Sequence, residues 1–444
     1  MSREMVGLIS IIVLFVLLFA RLPVAFVMLV VGMGGLAYIK GMGAMLYTSG
    51  VTVYETLASY TLVVVPLFTW MGYIGFHSGL SAHLYDAAYK TVGSLKGGLM
   101  LATTMACAAF GAICGSTTAT AATFAALSLP EMKKRGYDRS MATANVAASG
   151  ILGVLIPPSI IFVVYCSLTG ENVGKLFIAG IFPGLLLMVL YMIGIYLVVR
   201  RRPELAPPGP LFPWKERIKA VATGGIEVVI IFLVVIGGIL GIFGARYRIT
   251  AVEAGSIGCF ATLLVVLARR ALTWRGFVNS LKDTVRTATM VMFLVAAANI
   301  YGVFLSLTQI PTIVSDWVVG LPLPPYAIVI GILLILLVLG CFVDALAMIL
   351  LTIPIFYPAV CYPPPVGLGF NGIWFGVIMT LALGMGVLTP PVGANVYVVY
   401  AVDKETPVMN IFKGTWPYLI ALWVCSILLL AFPQIVLFLP GLMK

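Results

Sequence analysis

Two stretches of this sequence put polar, flexible residues inside otherwise apolar runs. In the first, Gly115-Ser-Thr-Thr-Ala-Thr120 sets a glycine before a series of hydroxyls, and Val154-Leu-Ile-Pro-Pro-Ser159 follows downstream. A proline removes an amide donor and disturbs the carbonyl four residues earlier. Pro157 and Pro158 therefore expose carbonyls around Gly153–Pro157, which in lipid is costly unless a ligand or the protein itself uses them. Hydroxyls and carbonyls are the ligands that hard cations prefer, calcium and magnesium being the better-known cases and sodium the analogue. The second stretch repeats the idea: Val387-Leu-Thr-Pro-Pro-Val392 carries Thr389 before its prolines and Gly393 and Asn395 after them, and Gly340 and Asp344 lie upstream. Asp344 is the one acid in the apolar run Leu333–Leu351. A carboxylate at membrane depth marks function by default: it could ligate a cation, carry a proton or pair with a base. It could equally cap a helix through that helix's free amides, and both readings stay open.

The residues sort into two candidate cation sites. Gly115, Ser116 and Thr118 would act with carbonyls at Gly153 and Pro157 in the first; Gly340, Asp344, Thr389 and Gly393 would form the second. Helix N-termini nearby offer free amides and a positive dipole end to a solute carboxylate. Ser116, Thr117, Pro158, Ser159 and Asn395 are the expected solute contacts, although Asn395 could as well bridge helices.

The elements that would hold these groups follow from the flanks. Gly97–Glu131 is basic on both sides, so it enters and leaves on one face of a membrane. Its glycine- and hydroxyl-rich middle suits a re-entrant hairpin with its tip near Gly115–Thr118 better than a lipid-facing helix centre; two ordinary helices packed through small residues are the alternative. Ser116 and Pro130 upstream of the first proline pair match Gly340 and Pro354 upstream of the second, and Tyr73-Ile-Gly-Phe76 matches Tyr301-Gly-Val-Phe304. Tyr73–Leu185 and Tyr301–Leu422 thus read as two copies of one unit. By this alignment the counterpart of Asp344 is Thr120. If Thr287–Leu307 crosses outward from the basic cluster ending at Arg286, the second copy is inverted, which puts a binding site at the repeat interface near the midplane.

The expected architecture is all-α: a polytopic membrane protein with an inverted repeat, two re-entrant hairpins and two broken helices. Residues 1–72 form N-terminal scaffold helices, broken at Arg21-Leu-Pro23. Residues 73–199 are the first repeat, with hairpin 97–131 and broken helix 141–168, turning near Thr169–Gly174. Residues 200–219 are a cytoplasmic linker, and 220–286 are central scaffold helices turning near Gly244–Arg248, where Arg246 and Arg248 break the charge rule. Residues 287–444 are the second repeat, with hairpin 325–359 and broken helix 372–400.

Composition supports the membrane reading. Of 444 residues 62% are hydrophobic and 9% charged, against about 25% charged in soluble domains, and the mean hydropathy is +1.14. At about 25–35 residues per span and loop, ten to fourteen membrane segments fit. The net charge of +11 sits in short loops and marks topology rather than nucleic-acid binding. The seven cysteines have no metal spacing and read as small buried hydrophobes; His77 and His83 are too isolated for a metal site. No Walker A sequence, His-Glu-x-x-His motif, serine–histidine pairing or paired membrane aspartates occur, so the chain is not expected to be an enzyme.

Ser81–Leu99, Gly115-Ser-Thr-Thr-Ala-Thr-Ala-Ala-Thr123, Leu129-Pro-Glu-Met-Lys-Lys-Arg-Gly-Tyr-Asp138, Leu155-Ile-Pro-Pro-Ser159, Leu176-Phe-Ile-Ala-Gly-Ile-Phe-Pro-Gly184, Thr250-Ala-Val-Glu-Ala-Gly255 and Thr389-Pro-Pro-Val-Gly393 together resemble the large membrane subunit of tripartite ATP-independent periplasmic (TRAP) transporters. The likeness covers nearly the whole chain. It implies import of a small organic anion coupled to sodium, with two or more ions, by an elevator mechanism across a bacterial or archaeal inner membrane. It implies two partners, a periplasmic substrate-binding protein and a small four-helix membrane subunit, the latter expected as a separate chain because Met1 opens directly into the large-subunit region. The resemblance assigns the cation sites to the two pairings named above. Two positions depart from the family pattern: Ser116-Thr-Thr-Ala-Thr120 replaces a Ser-Ser tip, and Leu381–Gly386 lacks an expected asparagine. A stand-alone symporter for divalent anions and sodium, needing no binding protein, is the competing function; a polytopic membrane enzyme is a third.

Overall fold

The computed structural model describes residues 2–20, 22–241 and 249–443, and every regular element among them is a helix. The expected turn at Gly244–Arg248, with Arg246 and Arg248, lies outside the described residues, as does Arg21 of the N-terminal break. Ala251–Ala268 shows why the surface belongs in lipid: Gly255, Gly258, Thr262 and Val266 are buried, while Ile257, Phe260, Leu264 and Leu267 stand exposed on the other face. A helix apolar all round fits a hydrocarbon environment. Among the described residues, four helices are long and apolar enough to cross a membrane, or up to seven if each bent pair counts as one span. This is fewer than the ten to fourteen segments the length allows. Many apolar helices have only 15–17 residues, about 22–26 Å, short of the ~30 Å hydrocarbon core; hairpin arms and half-helices need not cross.

The scaffold is built on Trp274–Leu307, a 34-residue helix that packs against Val24–Lys40, Met42–Leu57 and Val64–His77. Small residues bring the backbones together: a Cβ on Gly32 would lie 3.0 Å from the Tyr301 backbone. The segment cuts expected at 72, 199 and 286 fall inside Val64–His77, Val173–Arg201 and Trp274–Leu307. The basic residues that served as punctuation sit on the helices themselves, Arg200 and Arg201 in a last turn.

Two hairpins carry the polar tips. Gly98–Cys114 and Thr117–Lys134 meet at Gly115-Ser116; Pro325–Gly340 and Ala345–Cys361 meet at residues 341–344. Each lies beside a broken helix. In the first, Arg139–Leu155 and Ile160–Thr169 are bent by 44°; in the second, Gly372–Gly386 gives way to Ala394–Val402. Both breaks hold a cis Pro–Pro peptide, Pro157–Pro158 and Pro390–Pro391. The repeats interlock reciprocally: Ile160–Thr169 packs on Ala345–Cys361, and Ala394–Val402 packs on Thr117–Lys134.

The long scaffold helix shows that the hairpins come from opposite ends. Ser116 reaches it at Thr287, and the chain arrives there by way of His77, whose Nε2 lies 2.8 Å from Asp283. The second arm of the other hairpin passes Gly302, Val303 and Ser306 at the far end. The proline-rich linker is pinned rather than loose: Gly97 N donates to Ala206 O (3.1 Å), Asp138 N to Leu205 O (2.8 Å) and Gly209 N to Gly93 O (2.9 Å), strapping it across the base of the first hairpin.

Candidate functional site

At the first tip, Gly115 adopts a left-handed conformation (φ +67°), and its carbonyl accepts from Ile160 N at 3.3 Å. A Cβ there would come within 2.6 Å of Pro158 O, so only glycine lets the tip meet the break. Ser116 caps the second arm, its Oγ accepting from Ala119 N (3.4 Å) and facing Thr118 Oγ1 at 3.3 Å. Gly111 and Gly153 permit the closest backbone approach: a Cβ on Gly111 would fall 2.7 Å from Gly153 Cα, and one on Gly153 2.4 Å from Thr120 Oγ1 and 2.9 Å from Ser116 O.

The second tip repeats this frame with different side chains. Cys341 O accepts from Val392 N at 3.1 Å, and a Cβ on Gly386 would lie 2.7 Å from Gly340. Asp344 is exposed and caps the second arm, its carboxylate accepting from Leu346 N at 3.2 Å. Capping by Asp344 is therefore observed. Its structural counterpart is Ser116, the cap of the first hairpin, and not Thr120. Pro130 and Pro354, used for the alignment, stand at different distances from their caps, so the proline register misplaces the tip by one helical turn.

The structure thus gathers Gly115, Ser116, Thr118, Gly153 and Pro158 at one tip, with Pro157 opening the break, and Gly340 and Asp344 at the other. Thr117 is buried. Ser159 is also buried, and its Oγ caps Ile160–Thr169 by accepting from Phe162 N (3.4 Å). Thr389 Oγ1 donates to Met385 O at 2.7 Å. Gly393 is left-handed, with Phe412 packed where a Cβ would go. Asn395 is fully buried beside the start of the first hairpin's second arm, where Thr117 O and its own Nδ2 both border Gly150. The Nδ2 donates to Ala147 O (3.0 Å), tying the second broken helix to the first, and the Oδ1 has no hydrogen-bond partner among the described residues. Three groups escaped the sequence reading. Gly111 and Gly386 make the close approaches; a glycine four residues before each proline pair, Gly153 and Gly386, was the available signal. The third, a buried network of Asn145 Nδ2 donating to Thr104 Oγ1 (3.0 Å) beside Ser149, had no sequence signal beyond isolated polar residues in small-residue helices.

Two cavities lie along the boundary between the hairpins and the scaffold. One of about 30 Å3 sits at the first tip, between Ser116 and Tyr73 and Thr287. The other, about 570 Å3, is lined by Thr56, Asn299 and Ser306 of the scaffold and by Ser167, Tyr357 and Tyr362 opposite. At the other end of the hairpin body, Glu405 of the second repeat bridges Lys133 and Arg139 of the first. The Lys133 hydrogen bond and the two cationic charges hold the Glu405 carboxyl below its usual range. Among the described residues no three His, Cys, Asp or Glu side chains converge on a metal site. All seven cysteines are free.

Inverted hairpin-and-broken-helix repeats, closed on one another and set against a separate helical scaffold, define the membrane-transporter class of helical proteins. The chain superposes on the crystal structure of the Alcanivorax borkumensis YdaH transporter with a TM-score of 0.63 over 90% of each chain at 13% identity, a likeness of fold alone. The family follows from sequence: residues 11–435 match the DctM component of tripartite ATP-independent periplasmic transporters, and the chain belongs to that family as a large, multi-pass permease subunit. It is 32% identical to the C4-dicarboxylate TRAP transporter large permease protein DctM of Pseudomonas aeruginosa over 88% of each chain. It is 30% identical to the sialic acid large permease SiaM of Vibrio cholerae over 96% of each, and 33% identical to the ectoine large permease TeaC of Halomonas elongata over 86% of each.

Proposed function

We propose that the chain imports a small organic anion across a bacterial inner membrane, coupled to sodium, by moving the two hairpins and broken helices as one body past the scaffold. The observation that carries this reading is the duplicated tip-and-break contact, Gly115 with Ile160 and Cys341 with Val392, approached from opposite ends of the scaffold. Each contact leaves oxygens of the kind sodium takes: the Ser116 and Thr118 hydroxyls and Pro158 carbonyl at the first tip, the Asp344 carboxylate at the second. The chemistry of these donors suits a hard monovalent cation. The reciprocal packing of the repeats supports movement as one body, and the cavities along the scaffold boundary mark where it would slide. A periplasmic substrate-binding protein would deliver the solute and a small four-helix membrane subunit would accompany the scaffold. The relatives' names span C4-dicarboxylates, sialic acid and ectoine, so the reading extends to the class of solute and not to one compound.

Proteoliposomes test this. With a sodium gradient, the small subunit and the cognate binding protein, uptake of the matching solute is expected; removing either sodium or the binding protein abolishes it. Robust uptake by this chain alone would favour the stand-alone symporter, and uptake indifferent to sodium would overturn the coupling.

A further inference from the structure

The first tip is seated on a wall whose polar groups have no part in the sites above. The cavity of about 30 Å3 has Thr69, Tyr73 and Thr287 on the scaffold side and Cys114, Ser116 and Ile160 on the hairpin side. That volume holds about one water. The wall is built from two helices, Val64–His77 and Trp274–Leu307, that pack on each other. Gly72 lets the tip come close, since a Cβ there would lie 2.9 Å from Cys114 Cα.

The threonine hydroxyls of this wall do not bond as most buried helical threonines in the molecule do. Thr103, Thr123, Thr284 and Thr352 each turn the hydroxyl back to the carbonyl four residues earlier, at 2.6–2.8 Å. That is the usual way a hydroxyl inside an apolar helix satisfies itself. Thr287 Oγ1 instead meets Tyr73 OH at 2.9 Å across the two wall helices. Thr69 is 4% exposed, and its Oγ1 has no hydrogen-bond partner among the described residues. A valine would fill the same space without leaving a buried hydroxyl unpaired. The wall therefore presents one unpaired hydroxyl and one hydroxyl pair to the place where Ser116 docks.

We propose that Thr69, Tyr73 and Thr287 are the fixed half of the solute site, hydrogen-bonding the carboxylate or hydroxyl oxygens of the organic anion when the first tip withdraws from the wall, and so helping to set selectivity. The proposal rests on the transport reading above. It also divides the labour between the two sides. Ion and solute must both travel with the moving hairpins, so their lasting ligands are there; groups fixed on the scaffold act on the solute only at the end of the movement where it enters or leaves. Removing a wall hydroxyl should weaken solute binding and leave the sodium response intact.

Cys114 gives a direct readout, because it lines the same cavity and a solute there shields it. In the complex with the small subunit, in sodium, N-ethylmaleimide modification of Cys114 is followed by peptide mass spectrometry against rising concentrations of ectoine, sialic acid or a C4-dicarboxylate. At least one of these probes should protect Cys114. Thr69→Val and Thr287→Val should each raise the half-protecting concentration about threefold to tenfold, the range for one lost neutral hydrogen bond. Thr69→Ser should restore it, and sodium half-saturation should stay where it was. Thermal unfolding of the same preparations checks that packing is intact. Failure of every probe to protect Cys114, an unchanged half-protecting concentration in both valine variants, a parallel shift in the sodium curve, or a serine variant that behaves like valine would each overturn the proposal. If Ser116→Ala and Asp344→Asn leave sodium dependence unmoved, the ion reading fails instead, and the protection data still decide the wall.

Discussion

The two hairpin tips share a backbone and differ in chemistry. Each turns where a carbonyl, Gly115 O or Cys341 O, accepts from the far side of its own break, and each is drawn in by a glycine pair, Gly111 with Gly153 and Gly340 with Gly386. The first tip is capped by Ser116, half-buried and closed against Tyr73 and Thr287 of the scaffold. The second is capped by Asp344, exposed, with Phe342 edge-on to Phe19 at 5.8 Å. The duplicated part is the geometry that brings backbone oxygens to a tip. What differs is the charge supplied there, neutral hydroxyls at one tip and a carboxylate at the other.

The largest expected effect breaks the shared geometry. Gly115→Ala forces a left-handed alanine, about 1–2 kcal/mol by itself, and drives its Cβ against Pro158 O. Gly136→Ala is the control, since Gly136 has φ +73° and open space around it. Thermal unfolding should show the position-115 variant clearly less stable than the position-136 variant, with transport lost; equal losses would mean the tip-to-break contact is not tight.

The next effect sharpens the difference in charge. Asparagine caps a helix about as well as aspartate, so Asp344→Asn keeps the cap and removes the charge. If the carboxylate ligates sodium, half-saturation for sodium should rise by about tenfold or more with little change in unfolding temperature. An unchanged sodium curve would leave Asp344 as a cap only. Ser116→Ala should raise sodium half-saturation less, because it removes one neutral ligand.

How much of this could be read from the chain follows the same division. The proline pairs and the glycine–hydroxyl run located the tips and breaks because they violate the apolar pattern of membrane helices. The pairing of Ser116 with Asp344 did not emerge, because helix caps are set by backbone geometry while the alignment relied on Pro130 and Pro354. Asn395 left two readings open, a solute contact or a bridge between helices; the bridge is observed, and its acceptor, Ala147 O, is a backbone group from the other repeat that no sequence signal marks. Scaffold residues such as Thr69 were invisible for a similar reason, since only the packing of two distant helices on a hairpin gives them a role.

The smallest effect concerns the base of the hairpin body, where the repeats are tied by charge. Glu405 is exposed, and its contacts with Lys133 and Arg139 lower its carboxyl's proton affinity. Such a group stabilises the folded state above the ordinary glutamate range and stops doing so as pH falls through its lowered folded value. Glu405→Gln should slightly reduce thermal stability at neutral pH and low salt. The gap from the unmodified protein should close in acid and in high salt; a gap independent of both would mean the tie is not electrostatic.

The proposed sodium-coupled transport requires both tips to enter from opposite faces and to meet water and ions at depth. Ser116→Cys and Asp344→Cys, each made in a chain freed of its seven native cysteines, can be exposed in oriented vesicles to a membrane-impermeant thiol reagent from either side, with and without sodium. Both positions should react with the water-soluble reagent, and sodium should slow both reactions. Reaction only with a lipid-soluble maleimide, or labelling of both from a single side regardless of sodium, would contradict that arrangement.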